Sequence, residues 1–80
     1  MDAQEIRSTL QQFIHTLSGQ TCQDDDDLFA TGLLDSQGVL QLVTFLEERF
    51  HLNIDVADVT LENLGSISAI QRLVLAGTSL

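Results

Sequence analysis

The spacing of the aliphatic side chains constrains this chain more than any other feature. Ile6, Leu10, Phe13, Ile14 and Leu17 recur at intervals of three and four, which puts them on one stripe of a helix running from about Ala3 to Leu17. Asp2 and Glu5 stand in capping-box spacing at its start, and Ser18-Gly19 supplies a stop. Val39, Leu42, Val43, Leu46 and Phe50 repeat the pattern over about Ser36 to Phe50, with Gly38 near enough to the start to cost little. Ser66 is placed to cap a closing helix in which Ile67, Ile70, Leu73 and Val74 share a face; Gly77 is expected to end it and leave a polar tail. Before that helix, Ile54, Val56, Val59, Leu61 and Leu64 lie among short polar stretches, enough for one or two helical turns with Thr60 as cap.

Residues 19–35 have no sustained period. A loop of that length inside a small domain is functional or disordered, and Leu28, Phe29, Leu33 and Leu34 argue for one pinned to the core. The expectation is an all-α fold: a four-helix bundle of three longer helices and a short third helix, with a long loop between helices one and two. Zero Pro, Trp and Tyr, only four Phe and 44% hydrophobic residues fit aliphatic helix packing. Eighty residues cannot divide that apolar content between two cores, so residues 1–80 are expected to be one domain. Cys22 is the only cysteine, which excludes an internal disulfide, and no ligand set for a structural zinc accompanies it. Packing alone must hold the fold.

Twelve acidic residues against three Arg and no Lys give a net charge of -9, which repels nucleic-acid backbones and anionic membranes and favours basic protein surfaces. No apolar run is long enough to span a bilayer, and the opening Met-Asp-Ala-Gln-Glu lacks the basic flank and apolar stretch of a signal peptide. The expectation is a cytoplasmic monomer that needs protein partners. The run Asp24 to Asp27 fails as an EF-hand, because a loop starting at Asp24 puts Phe29 where glycine is needed and Asp35 where a bidentate Glu is usual. His15, His51 and Cys22 are scattered without ligand spacing, so no metal site is expected. No Gly-x-Ser-x-Gly elbow surrounds Ser36, and nothing basic near Cys22 would lower its pKa, so no catalytic residue is expected.

The stretch Gly32-Leu33-Leu34-Asp35-Ser36-Gln37-Gly38-Val39-Leu40 puts a serine where the long loop turns into a helix. A helix start leaves backbone N–H groups unpaired and carries partial positive charge, a field suited to a phosphodiester. An ordinary N-cap at Asp35 or Ser36 explains the pair equally well in isolation. In its setting the chain resembles the acyl carrier protein family. The resemblance rests on the first helical stripe, the acidic loop with Leu28-Phe29, and the Leu-Leu-Asp-Ser turn. It extends through the Leu42-Val43-x-x-Leu46-Glu47-Glu48-x-Phe50 pattern, Ile54 and the closing helix.

That resemblance implies a carrier rather than an enzyme, with Ser36 esterified to phosphopantetheine by a separate phosphopantetheinyl transferase that uses coenzyme A and a divalent metal. The arm's thiol would hold an acyl or aminoacyl group as a thioester, loaded by an adenylating or aminoacylating ligase and delivered to acceptor enzymes. It also implies that the second helix meets the basic surfaces of those partners. Projected at about 100° per residue, Ser36, Leu40, Thr44 and Glu47 form a stripe beside the core face, with Glu48 farther round. Asp35, Gln37, Val39, Leu40, Thr44, Glu47 and Glu48 are therefore the expected recognition residues. Leu28-Phe29-Ala-Thr-Gly-Leu-Leu-Asp-Ser looks more like stand-alone aminoacyl, D-alanyl or peptidyl carriers than like the fatty-acid type. Gln37 stands where a bulky apolar residue often follows the serine, and Gln41 where an acid is frequent. Amino acid cargo is the expectation; a fatty-acid or polyketide carrier and an unmodified acidic interaction domain are the alternatives.

Overall fold

Each helix begins where a side chain answers the backbone. In the computed structural model, which describes residues 2–78, Asp2 Oδ1 accepts the Glu5 N–H at 2.8 Å and starts α1 (Ala3–Ser18). Gly19 closes it in the left-handed region at φ 75°, its N–H reaching the His15 carbonyl at 2.7 Å. Asp35 starts α2 (Ser36–Phe50), and His51 ends it, also left-handed, at φ 56°. Val56–Asp58 form one 3₁₀ turn, and α3 (Leu61–Leu64) follows with Thr60 Oγ1 accepting the Asn63 N–H at 3.2 Å. Ser66 Oγ accepts the Ala69 N–H at 3.1 Å at the head of α4 (Ile67–Thr78).

The core joins the faces that the periodicity marked: Ile6, Leu10 and Ile14 of α1, Leu42, Leu46 and Phe50 of α2, Leu64 of α3, and Ile67, Ile70 and Val74 of α4 are all buried. Leu28, Leu33 and Leu34 are buried with them, so the long loop contributes to the core as a helix would. Each such side chain removed from water is worth about 1.5–3 kcal/mol. The loop's backbone is tied in as well: the Leu28 N–H donates to the Gly65 carbonyl at 2.8 Å and the Ser68 N–H to the Asp24 carbonyl at 2.9 Å.

The aspartate run is what organises that loop. Asp24 takes the Arg7 Nε–H at 2.6 Å and the Gln11 Nε2–H at 2.9 Å, Asp26 Oδ2 takes the Gln23 N–H, and Asp27 Oδ1 takes those of Phe29 and Ala30. These are the local side-chain-to-backbone bonds that suit Asp to turns. One expectation needs correction. Gly77 does not end α4, which continues to Thr78; a Cβ on Gly77 would run into the Leu52 side chain, so the glycine permits a close approach rather than a stop. The polar tail expected after it falls at residues 79–80, outside the described residues. Gly38 is more than tolerated: it is buried, and a Cβ there would come within 3.1 Å of Leu34 Cδ2 and 3.3 Å of Asp35 Oδ1. Phe45, which the helical stripe omitted, stacks on Phe13 with ring centroids 4.4 Å apart and fastens α2 to α1.

Candidate functional site

Two neighbouring residues at the head of α2 have separate tasks. Asp35 is the N-cap: its backbone is extended, its Oδ1 accepts the Gly38 N–H at 2.8 Å, and its carbonyl accepts the Val39 N–H at 2.9 Å. Ser36 is the first residue of the helix; it is exposed, and its hydroxyl makes no hydrogen bond among the described residues. The two N-cap assignments left open by the sequence therefore resolve in favour of Asp35. With Asp35 holding Gly38, the N–H groups of Ser36 and Gln37 remain without a partner among the described residues, and no acidic residue occupies the first turn. The helix start therefore presents donors and partial positive charge to a group attached at Ser36.

Ser36 stands on the rim of an open groove of about 550 Å³ between α2 and the segment carrying α3, whose apolar lining is Phe29, Val39, Val59, Leu61 and Leu64. Its volume is that of a small-molecule site, but the groove opens to solvent along its length. A smaller polar cleft on the other side of the helix start is lined by Gln20, Thr31, Gln37 and Gln41. Asp35 borders both.

The expected recognition residues fall into different environments. Asp35, Gln37, Thr44 and Glu48 are exposed, and Leu40 is 69% exposed one turn beyond Ser36. Thr44 Oγ1 donates back to the Leu40 carbonyl at 3.0 Å. Val39 is half-buried in the groove. Glu47 is half-buried too, and its Oε2 accepts the Ile54 N–H at 3.1 Å. The sequence treated Val56 and Leu61 as apolar positions of a short helix; in the structure they are 86% and 68% exposed, on the same side as Ser36's groove for Leu61. The shortness of α3, four residues, was the available signal: one turn cannot bury all the apolar residues of that segment.

His51 follows the opposite end of α2 from Ser36, roughly 22 Å away by helical rise, too far to act as a base on the serine. Among the described residues no group of three or more His, Cys, Asp or Glu could hold a metal. Burial, then the Asp26 and Asp24 carboxylates, push the Cys22 thiol above its ordinary value, away from a nucleophile. Among the described residues no helix is long and apolar enough to cross a membrane.

The family model for the phosphopantetheine attachment site matches residues 4–70, which takes in α1 from its second residue, the whole loop, the Asp35-Ser36 turn, α2, α3 and the first turn of α4. The chain belongs to the phosphopantetheine-attachment family. It is thus a carrier protein and not an enzyme, and its helices are those of the carrier fold. Among curated relatives, the D-alanyl carrier protein of Streptococcus suis is 29% identical over 68 residues, 82% of this chain and 86% of that one. That of Streptococcus sanguinis is 34% identical over 56 residues, 68% and 71% of the two chains. That of Leuconostoc mesenteroides is 30% identical over 56 residues, 68% and 72% of the two. When bound, phosphopantetheine supplies this carrier protein with a thiol on a flexible arm. The head of α2 fits it: an exposed hydroxyl, helix-end donors for a phosphate, and an apolar groove alongside.

Proposed function

We propose that Ser36 is the attachment point of the arm and that the cargo is an amino acid held as a thioester. The observation that carries the first part is the division of labour at the head of α2. Because Asp35 alone caps the helix, the Ser36 hydroxyl can be esterified without undoing the fold. In the reaction a phosphopantetheinyl transferase joins Ser36 Oγ to the pantetheine-bearing phosphorus of coenzyme A. The phosphoanhydride bond breaks, adenosine bisphosphate leaves, and the serine proton passes to a base of the transferase. An adenylating ligase then passes the amino acid from its adenylate to the thiol with release of AMP, and an acceptor enzyme takes the amino acid onward.

Amino acid cargo is supported by the D-alanyl carriers among the relatives and by Gln37 and Gln41 on the polar side of the helix start. The solvent-open groove also accords with cargo that stays outside the bundle. Partners would read Asp35, Gln37, Val39, Leu40, Thr44 and Glu48, with acidic rims giving fast, salt-sensitive encounters. A net charge of -9 disfavours self-association and fits a monomer, and the unpaired Cys22 thiol fits the reducing cytoplasm. The test offers the arm-bearing protein, with ATP, to a D-alanine-activating ligase and separately to an acyl-loading synthetase, and reads intact mass. A D-alanyl gain supports the reading. An acyl gain alone would make this a fatty-acid or polyketide-type carrier, and failure to accept an arm would leave an acidic interaction domain.

A further inference from the structure

Glu47 lies by sequence on the α2 stripe beside the core face, and there it is half-buried with its carboxylate engaged. The Ile54 N–H lies seven residues on, past the left-handed turn at His51 where the chain leaves the helix. Among the described residues this is the one hydrogen bond between an α2 side chain and the segment 51–64. Beyond it, side chains fix the segment to itself: the Asp55 N–H meets Asp58 Oδ2 at 3.3 Å, and Asn63 Nδ2 donates to the Asp58 carbonyl at 2.9 Å. Residues 55–63 are therefore a short, internally braced unit whose attachment to α2 includes Glu47. That unit supplies Val59, Thr60 and Leu61 to the groove beside Ser36, and it carries Val56 out into solvent.

We propose that Glu47 is a positioning residue: by accepting the Ile54 N–H it sets where the braced segment stands against α2, and so the shape of the apolar rim that a modifying or loading enzyme meets beside Ser36. This rests on the carrier reading of Ser36. A charged contact with a partner would need the carboxylate's negative charge, whereas the latch needs only an acceptor oxygen. Gln keeps such an oxygen and Ala does not, so the two substitutions separate the roles.

The experiment measures Glu47→Ala and Glu47→Gln in two ways. The first is amide exchange by NMR on the unmodified full chain, which reads the latch without any enzyme. Glu47→Ala should speed exchange at Ile54 by about tenfold, the worth of one hydrogen bond to a charged acceptor, with α1 amides unchanged; Glu47→Gln should recover most of the protection. The second is the rate of arm addition by a phosphopantetheinyl transferase: Glu47→Ala should raise KM by about threefold to tenfold with kcat little changed, and Glu47→Gln should restore it. Equal KM increases in both variants with unaltered Ile54 exchange would overturn the proposal in favour of a direct charge contact. Wild-type exchange and KM in both would overturn it outright. If Glu47→Ala does not fold, loss of Ile54 protection in Glu47→Gln overturns it. Wild-type chain that accepts no arm would instead sink the carrier reading, a result the exchange data on unmodified protein cannot mimic.

Discussion

Replacing Asp35 with Ala removes the acceptor of the Gly38 N–H and should cost about 1 kcal/mol of stability, while Asp35→Asn keeps an acceptor and most of the stability. Denaturant midpoints of the two variants check this; equal losses would mean that Asp35 acts through charge rather than as a cap. Ser36→Ala should leave stability within about 0.5 kcal/mol of wild type, since its side chain is exposed and unbonded. Cys22 presents the converse case. Its raised pKa follows from burial and two carboxylates, so it holds little thiolate at neutral pH and should react with a maleimide more slowly than a free-cysteine peptide. A rate equal to the peptide's would contradict that environment. The same sign makes the folded state hold this proton more tightly than the unfolded chain, so Cys22 contributes a small loss of stability as pH rises through the thiol range. A carrier benefits from an inert internal thiol, because only the arm's thiol should accept cargo.

At the scale of elements, the loop between α1 and α2 is the test of what burial means. Leu28 is fully buried although it lies in no helix, so Leu28→Ala should cost about 2–5 kcal/mol. Leu40 lies within a helix yet is exposed, so Leu40→Ala should change stability by no more than about 0.5 kcal/mol while weakening encounters with partner enzymes. Urea unfolding of both variants decides it; similar losses would undo the distinction between the buried loop leucine and the exposed helix leucine. The three longer helices were legible because their buried faces repeat every three or four residues and their starts carry Asp2, Asp35 and Ser66. Gly77 misled because a glycine read as a stop was there for the Leu52 side chain, a contact between residues twenty-five positions apart that no local pattern reveals. The bond from the Ile54 N–H to Glu47 was not legible either: helical projection locates a side chain around its own axis but not the backbone that folds back to meet it. The exposure of Val56 and Leu61 escaped a reading of apolar residues as core, which is a one-way rule.

For the whole molecule, a net charge of -9 with no disulfide means that the folded state confines its own repulsion. One acid, Asp24, is paired with Arg7, and the others among the described residues lack an ion pair. Stability should therefore rise with moderate salt or magnesium, and a gain of about 1 kcal/mol would lift Tm by about 4–8 °C in a domain of this size. A Tm independent of both would mean that the charges are already too far apart to matter. Screening should at the same time slow association with basic partners, so conditions that best stabilise the carrier are not those in which it works fastest. The carrier mechanism proposed above depends on one chemical assignment, that the Ser36 hydroxyl is where cargo chemistry is attached. Intact-mass spectrometry after incubation with coenzyme A, magnesium and a broad-specificity phosphopantetheinyl transferase measures it directly. A single phosphopantetheinyl mass gain in the wild type that is absent from a folded Ser36→Ala variant is the predicted result; a gain that persists in Ser36→Ala, or none on folded wild-type protein, would contradict it.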